Sequence, residues 1–277
     1  MPDGGPGPRD QEWLAAARRA CGRIGEAVRP LTSAERREPQ GRGAGGDTTV
    51  RVDRLAEDIV LEELGALGMP LRVLSEEAGM VALGGAGAGD PLVVVDPIDG
   101  SLNAKRGLPL FATSIALAGG PAMGDVRIGL VHDHGSGEEW LGVRGEGSWV
   151  DGVALAPAPP PDGRLPIVLL EGASPRRVGR AAEALDGRTG RIRALGSLAL
   201  SLCHVAGGRG DAMAGMGPGR SVDVAAAQLI AREAGVLVGM PGTGDLAGTP
   251  LDLDGRFGVT AAHDEAAIDL LRGLTEG

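Results

Sequence analysis

The 277-residue chain has no tyrosine, two phenylalanines, three tryptophans and two cysteines. Each shortage excludes something. With a net charge of −10 and no basic stripe interleaved with aromatic rings, the chain lacks what nucleic acid requires, namely cations for phosphates and flat rings for bases. Two cysteines, Cys21 and Cys203, both in apolar helical contexts, make no disulfide framework. Free buried thiols in a cytoplasmic protein are the expectation. No apolar run approaches the length of a membrane span, so no membrane partner is expected. No P-loop pattern occurs. "MPDGGPGPRD" lacks a charged-then-apolar signal pattern and reads as a disordered leader over residues 1–10.

What the chain has in excess is glycine, 49 residues, spread along its whole length. That bias weakens any glycine-based motif. "GGAGAGD" (84–90) precedes a strand instead of following one, so it reads as a connector and not as a dinucleotide loop. Hydrophobic residues make up 43%, enough for one large domain or two intimate ones.

Periodicity predicts a helix over 11–29, a loose loop over 40–47, and a helix from about residue 53. "LRVLSEE" (71–77) is a strand ending in two glutamates. "PLVVVD" (91–96) is a strand without alternation, as in a sheet buried on both faces. Strands follow at 111–119, 127–133 and 138–145. "APAPPPDG" (156–163) is a proline-rich linker and a possible boundary between halves at 11–155 and 156–277. Beyond it come a strand at 165–170, a helix near 176–185, a strand at 191–195 and helices at 197–208 and 221–235. Two short strands and a closing helix over 263–274 complete the chain. Strand runs mixed with helices indicate layered α and β elements, without a simple βαβ repeat.

The chemistry lies in the ends of these elements. In "VVVDPIDGSLN" (93–103) an apolar strand runs into Asp96 and Asp99. Taken alone, Asp-Pro and Asp-Gly form a turn. Glu76 and Glu77 close another strand, and Asp53 and Asp223 begin helices, where each also fits a cap. If these ends converge, five or six carboxylates face one cavity and repel one another. A hard divalent cation such as Mg²⁺, which takes oxygen ligands, would remove that cost, and the Ile98 carbonyl would add an oxygen. "VHDHG" (131–135) places His132 and His134 on one strand face, where a transition metal is the alternative to a structural pair.

The chain resembles the inositol monophosphatase family of lithium-sensitive, Mg²⁺-dependent sugar phosphatases, from about residue 11 to 274. The resemblance is carried by "SEE" (75–77) lying 20 residues before "DPIDGS" (96–101), by "TVRVD" (49–53), by "LGSLALSLCHVAGGRGDA" (195–212) and by "SVDVAAAQLIAREAG" (221–235). It implies an α/β (α+β layered) fold like that of inositol monophosphatase and fructose-1,6-bisphosphatase, two or three Mg²⁺ ions, a small phosphorylated polyol or sugar as substrate, and a homodimer. Carried over residue by residue, Glu76, Asp96 and the Ile98 carbonyl would hold one metal, and Asp96, Asp99 and Asp223 a second. Glu77 and Asp53 would support the metal ligands from behind or orient water. Glu76 and the Ser101 hydroxyl would help aim that water. Gly100 and Ser101 would meet the phosphate at a helix start, and Gly196 and Ser197 would line the sugar side.

Three positions depart from the family pattern. Val222 replaces the usual tryptophan, Ala104 the usual aromatic after "DGSLN", and Met216 a glutamate of the myo-inositol-specific branch. These departures leave the acidic set complete and bear on inositol specificity. "AMAGMGPGR" (212–220) is glycine-rich and offers no carboxylate, so an open, mobile wall is expected there. It ends in Arg220, a candidate for a substrate phosphate. Fructose-1,6-bisphosphatase, histidinol-phosphatase and nucleotide 3′-phosphatase are rival readings within the fold. A non-catalytic binding or regulatory member is the rival of another class.

Overall fold

The computed structural model describes residues 7–44, 48–159 and 163–275. The first half runs α1 (Pro8–Val28), α2 (Ser33–Arg36), β1 (Pro39–Arg42), β2 (Thr48–Val50), α3 (Arg51–Gly65), β3 (Leu71–Ser75), β4 (Gly79–Leu83), β5 (Leu92–Asp99), α4 (Ser101–Arg106), β6 (Ala112–Ala118), β7 (Val126–Asp133), β8 (Glu139–Val143), β9 (Gly147–Val150) and β10 (Val153–Ala154). The second runs β11 (Leu165–Glu171), α5 (Pro175–Leu185), β12 (Thr189–Arg193), α6 (Leu198–Ala206), β13 (Ala212–Gly219), α7 (Ser221–Glu233), β14 (Leu237–Gly239), β15 (Phe257–Ala262) and α8 (Glu265–Thr275).

The strands of the first half from β3 onward form an eight-stranded sheet in the order β10-β9-β8-β7-β6-β5-β3-β4, antiparallel except where β3 pairs β5. Those of the second form a five-stranded sheet, β12-β11-β13-β15-β14, with β11 parallel to both its neighbours. Every residue of β5 is buried, because helices cover both faces. Its side chains alternate between two cores. Val93 and Val95 join Trp13, Ile24, Val60 and Leu64 of α1 and α3. Leu92 and Val94 join Leu200, Val224 and Ala227 of α6 and α7. A third core, with Val168, Leu170, Leu185, Ile268 and Leu271, lies between the small sheet and α5 and α8. The result is five alternating layers of helix and sheet, the layered α/β fold expected from the resemblance.

α7 is alanine-rich because it lies close against the large sheet. A Cβ on Gly129 of β7 would come within 2.5 Å of the Ala226 carbonyl oxygen, and one on Gly142 of β8 within 2.9 Å of Ile230 Cα. That contact fixes the depth at which α7 sits, and with it the place of Asp223 in its first turn.

Several expectations change. The stretch 40–47 is not wholly a loop: β1 pairs antiparallel with β2 across it, while residues 45–47 lie outside the described residues. α1 starts at Pro8, a residue whose missing N–H suits the first helical turn, and positions 1–6 of the expected leader lie outside the described residues. The hairpin strand β4 and the strands β9 and β10 were not foreseen. "AMAGMGPGR" is no open wall. Its residues up to Gly219 form β13, paired on both sides over Ala212–Gly215, and its small residues let α6 close on it: a Cβ on Gly215 would lie 2.9 Å from Leu198 Cδ2. Cys21 and Cys203 are free and buried. Among the described residues no helix is long and apolar enough to cross a membrane.

Gly129→Val forces a side chain into the α7 backbone. Overpacking of this kind costs about 2 to 3 kcal/mol, so the denaturant midpoint should fall clearly. An unchanged midpoint would show that α7 is free to move away from the sheet.

Candidate active site

Asp96 and Asp99 are three residues apart on one strand. In a regular strand that spacing sends two side chains to opposite faces. Here Asp96 pairs with Ser114 and Asp99 with Ala112, so three steps along β5 match two along β6. The extra residue is a β-bulge, and it brings both carboxylates to the same cleft. Asp96 Oδ1 accepts from the Ile98 N–H at 3.0 Å inside the bulge. Gly100 follows with φ +91°, and a Cβ there would lie 2.8 Å from the Leu110 carbonyl, so the turn into α4 requires glycine.

The cleft holds about 740 Å³. Glu76 enters from the turn after β3, Asp96 from β5 and Asp223 from the first turn of α7. One oxygen of each lies within 4.8 Å of the others. Asp223 also accepts from the Arg220 N–H at 2.8 Å, so it is a helix cap and a cleft residue together. Asp99 lines the same cleft but is turned toward α6, accepting from the Ser197 hydroxyl and from the Ala199 N–H at 2.7 Å. Arg220 donates to Glu76 Oε1 at 2.5 Å and lies 3.5 Å from Asp223 Oδ1. The arginine considered for a substrate phosphate is thus bound into the acidic cluster, whose field holds it.

Burial pushes Glu76 up to about 7, against the pull of Arg220. Burial also raises Asp99 to about 7, with the charge of Asp223 adding to it. Asp96 is raised well above the ordinary range by burial and then by the charges of Glu76, Asp99 and Asp223. Asp223 is raised by burial, with Arg220 opposing. Carboxyl groups so placed favour a proton or a cation.

On α4, the Ser101 hydroxyl is 2.9 Å from the Ile98 carbonyl and 3.2 Å from Asp53 Oδ1. Glu77 accepts from the Thr49 hydroxyl. Gly100, Gly196 and Ser197 line the cleft with them. His132 and His134 lie outside it, and among the described residues no third donor joins them in a metal-sized group.

The model of the inositol monophosphatase family matches residues 9–275. The chain belongs to the inositol monophosphatase family. It is 31% identical to a fructose-1,6-bisphosphatase/inositol-1-monophosphatase of Methanothermobacter thermautotrophicus, over 90% of this chain and 91% of that one. It is 29% identical to inositol monophosphatase 2 of Homo sapiens, over 97% and 92%. A solved structure described as an inositol monophosphatase–fructose 1,6-bisphosphatase, 25% identical, superposes with a TM-score of 0.81 over 95% of this chain and 99% of that one. As a member of this metal-dependent phosphatase family the protein is a phosphoric monoester hydrolase.

Four residues not singled out from the sequence hold this cleft of the inositol monophosphatase family member in shape. Glu57 of α3, 1% exposed, accepts from the Ser75 hydroxyl at 2.6 Å and the Ala78 N–H at 2.7 Å, so it pins the turn carrying Glu76 and Glu77. Glu171, at the end of β11, accepts from the N–H groups of Leu195 and Gly196 at 2.9 and 2.7 Å and from the Ser201 hydroxyl at 2.7 Å. Asn103 donates to the Leu195 carbonyl at 2.7 Å, so the strap before α6 is held from both sides. Lys105 lies 3.0 Å from Asp53 Oδ2, leaving Oδ1 to Ser101. It is the chain's single lysine, a compositional signal that would have marked it.

The raised carboxyls set a sign for stability against pH. Groups with raised folded pKa values add stability below their unfolded values, about 4, and lose it as pH climbs through the folded ones. His132, His134 and His204, lowered by burial, oppose this only up to their unfolded value near about 6.5. In chelator the melting temperature should therefore fall from about pH 7 to about pH 8, and fall less in Asp96→Asn. A wild-type curve that is flat in that window would contradict the crowding.

Proposed function

We propose that the protein hydrolyses small polyol or sugar phosphate monoesters with Mg²⁺, two or three ions, held by Glu76, Asp96, the Ile98 carbonyl, Asp99 and Asp223. The observation that carries this is the trio of carboxylate oxygens within 4.8 Å at the floor of the cleft. The donors are all carboxylate and carbonyl oxygens, a hard set that suits Mg²⁺ and not a transition metal. When bound, Mg²⁺ polarises phosphoryl oxygens and makes water a better nucleophile at neutral pH.

The chain's own groups then have distinct tasks. Asp53, with Oδ2 held by Lys105, presents Oδ1 to the Ser101 hydroxyl, which orients the attacking water and passes its proton toward the carboxylate. Glu76 and Glu77 flank the same water. Gly100, Ser101 and Arg220 receive the phosphate oxygens, and the planar guanidinium offsets incoming negative charge. Gly196 and Ser197 face the polyol. Segment 11–155 supplies Glu76, Asp96 and Asp99, and segment 156–277 supplies Asp223, so the site closes only when the two halves meet. A homodimer in the cytoplasm belongs to the same proposal. Leu102 and Leu108, 70% and 49% exposed, are apolar residues available to an interface.

Met216 stands where a sugar-gripping carboxylate would sharpen selectivity, and it is buried at 4% exposure. Without a buried acceptor to be left unpaired by the wrong ester, discrimination is weak. The double name of the M. thermautotrophicus relative supports fructose 1,6-bisphosphate as a second substrate.

Phosphate release should stop in chelator and return with Mg²⁺. Turnover that persists in excess chelator would end the metal reading. At saturating Mg²⁺, Asp96→Asn should lower kcat about a thousandfold or more, and retention of a tenth of the rate would remove Asp96 from its central role. Values of kcat/KM for inositol 1-phosphate and fructose 1,6-bisphosphate should lie within about tenfold of each other, roughly 1.4 kcal/mol. A hundredfold preference for either would show a selective pocket.

A further inference from the structure

The histidines of "VHDHG" take no part in the acidic cleft, yet one of them is tied to it from behind. Thr113 of β6 is the single residue facing the two bulged ones, Pro97 and Ile98. Its hydroxyl, fully buried, lies 2.9 Å from the Pro97 carbonyl and 2.8 Å from His134 Nε2. A carbonyl only accepts, so the one hydroxyl proton goes to Pro97. The threonine oxygen therefore accepts from His134, whose ring proton must sit on Nε2. The imidazole is fixed in turn by stacking on Phe111, centroids 5.2 Å apart, and the His134 backbone N–H donates to the Phe111 carbonyl at 3.1 Å, which holds the residue in place.

His134 Nδ1 is buried without a hydrogen-bond partner, a standing cost. A phenylalanine would stack on Phe111 equally well and avoid that cost, but it would not donate to Thr113. Burial lowers His134 to about 3, so the ring stays neutral and keeps this single-proton arrangement at ordinary pH.

We propose that Thr113 and His134 are positioning residues, a two-step hydrogen-bonded brace that holds the β5 bulge through the Pro97 carbonyl and so aims Asp96 and Asp99 into the cleft. The inference rests on the proposed role of those carboxylates in holding Mg²⁺. Proline contributes no N–H to the ladder, so at Pro97 the bulge depends on its carbonyl, and the brace binds that carbonyl from the neighbouring strand. The brace acts through the backbone and touches neither metal nor ester.

The test is calorimetric titration of Mg²⁺ into the wild type, Thr113→Val, Thr113→Ser and His134→Phe, with melting curves and steady-state kinetics beside it. Thr113→Val keeps shape and removes the donor. It should weaken Mg²⁺ affinity about tenfold and lower kcat at fixed Mg²⁺, with KM for the ester changed less than about twofold. Thr113→Ser keeps the hydroxyl and should bind Mg²⁺ as the wild type does. His134→Phe should weaken Mg²⁺ binding in the same direction as Thr113→Val, and it carries the test alone if Thr113→Val does not fold. A lower melting temperature with wild-type Mg²⁺ affinity in both Thr113→Val and His134→Phe would mean plain packing and would overturn the brace. Absence of Mg²⁺ uptake by the wild type would instead overturn the metal reading on which the brace rests.

Discussion

Buried carboxylates that face one another repel, and the cleft is organised around that repulsion. Glu76, Asp96 and Asp223 share a space of under 5 Å, with Asp99 beside them, in surroundings that disfavour charge. Such a cluster persists only with protons, a guanidinium or metal ions to balance it. Arg220 supplies part of the balance from the turn that begins α7. On the proposed reading a divalent cation would supply the remainder and so receive an anionic ester in a protein of net charge −10.

Bringing the carboxylates together takes more structure than the carboxylates themselves. The β5 bulge puts two aspartates on one side of a strand that would otherwise separate them. The glycine notches at Gly129 and Gly142 let α7 approach closely enough to deliver Asp223. Around these, buried polar side chains tie the loops: Glu57 the turn of Glu76, Glu171 and Asn103 the strap of Gly196, Thr113 the bulge. Glu57, Glu171 and Thr113 are buried and Asn103 half-buried, each with hydrogen-bond partners supplied, so each loop has one low-energy shape.

Much of this was legible in the sequence where a residue's type and its spacing point the same way. The apolar stripe of Trp13, Ile24 and Val28 read as a helix face, and "VVV" before Asp96 read as a strand buried on both sides. The acidic ends read as a constellation because two of them close strands and two begin helices. The bulge was not legible, since a three-residue spacing is equally consistent with a turn. β13 was missed because Ala-Met-Ala-Gly-Met-Gly carries no β-branched residue; the strand is specified by its two paired neighbours and by the room α6 needs, which is tertiary context overriding propensity. Glu57 and Glu171 looked like an ordinary helix residue and an ordinary strand end, because nothing local says that a carboxylate is buried and triply bonded. Lys105 was different. A chain that otherwise uses arginine for every fixed cation marks its one lysine by composition alone.

The central claim is that these converging carboxylates form a cation site and not merely a protonated acidic pocket. Crystals soaked in Mn²⁺, with anomalous differences measured at the manganese edge, test it most directly. The account predicts an anomalous peak bounded by Glu76, Asp96 and Asp223, absent in Asp96→Asn crystals soaked alike. A cleft without a peak at saturating Mn²⁺, or a peak only at surface carboxylates, would contradict it.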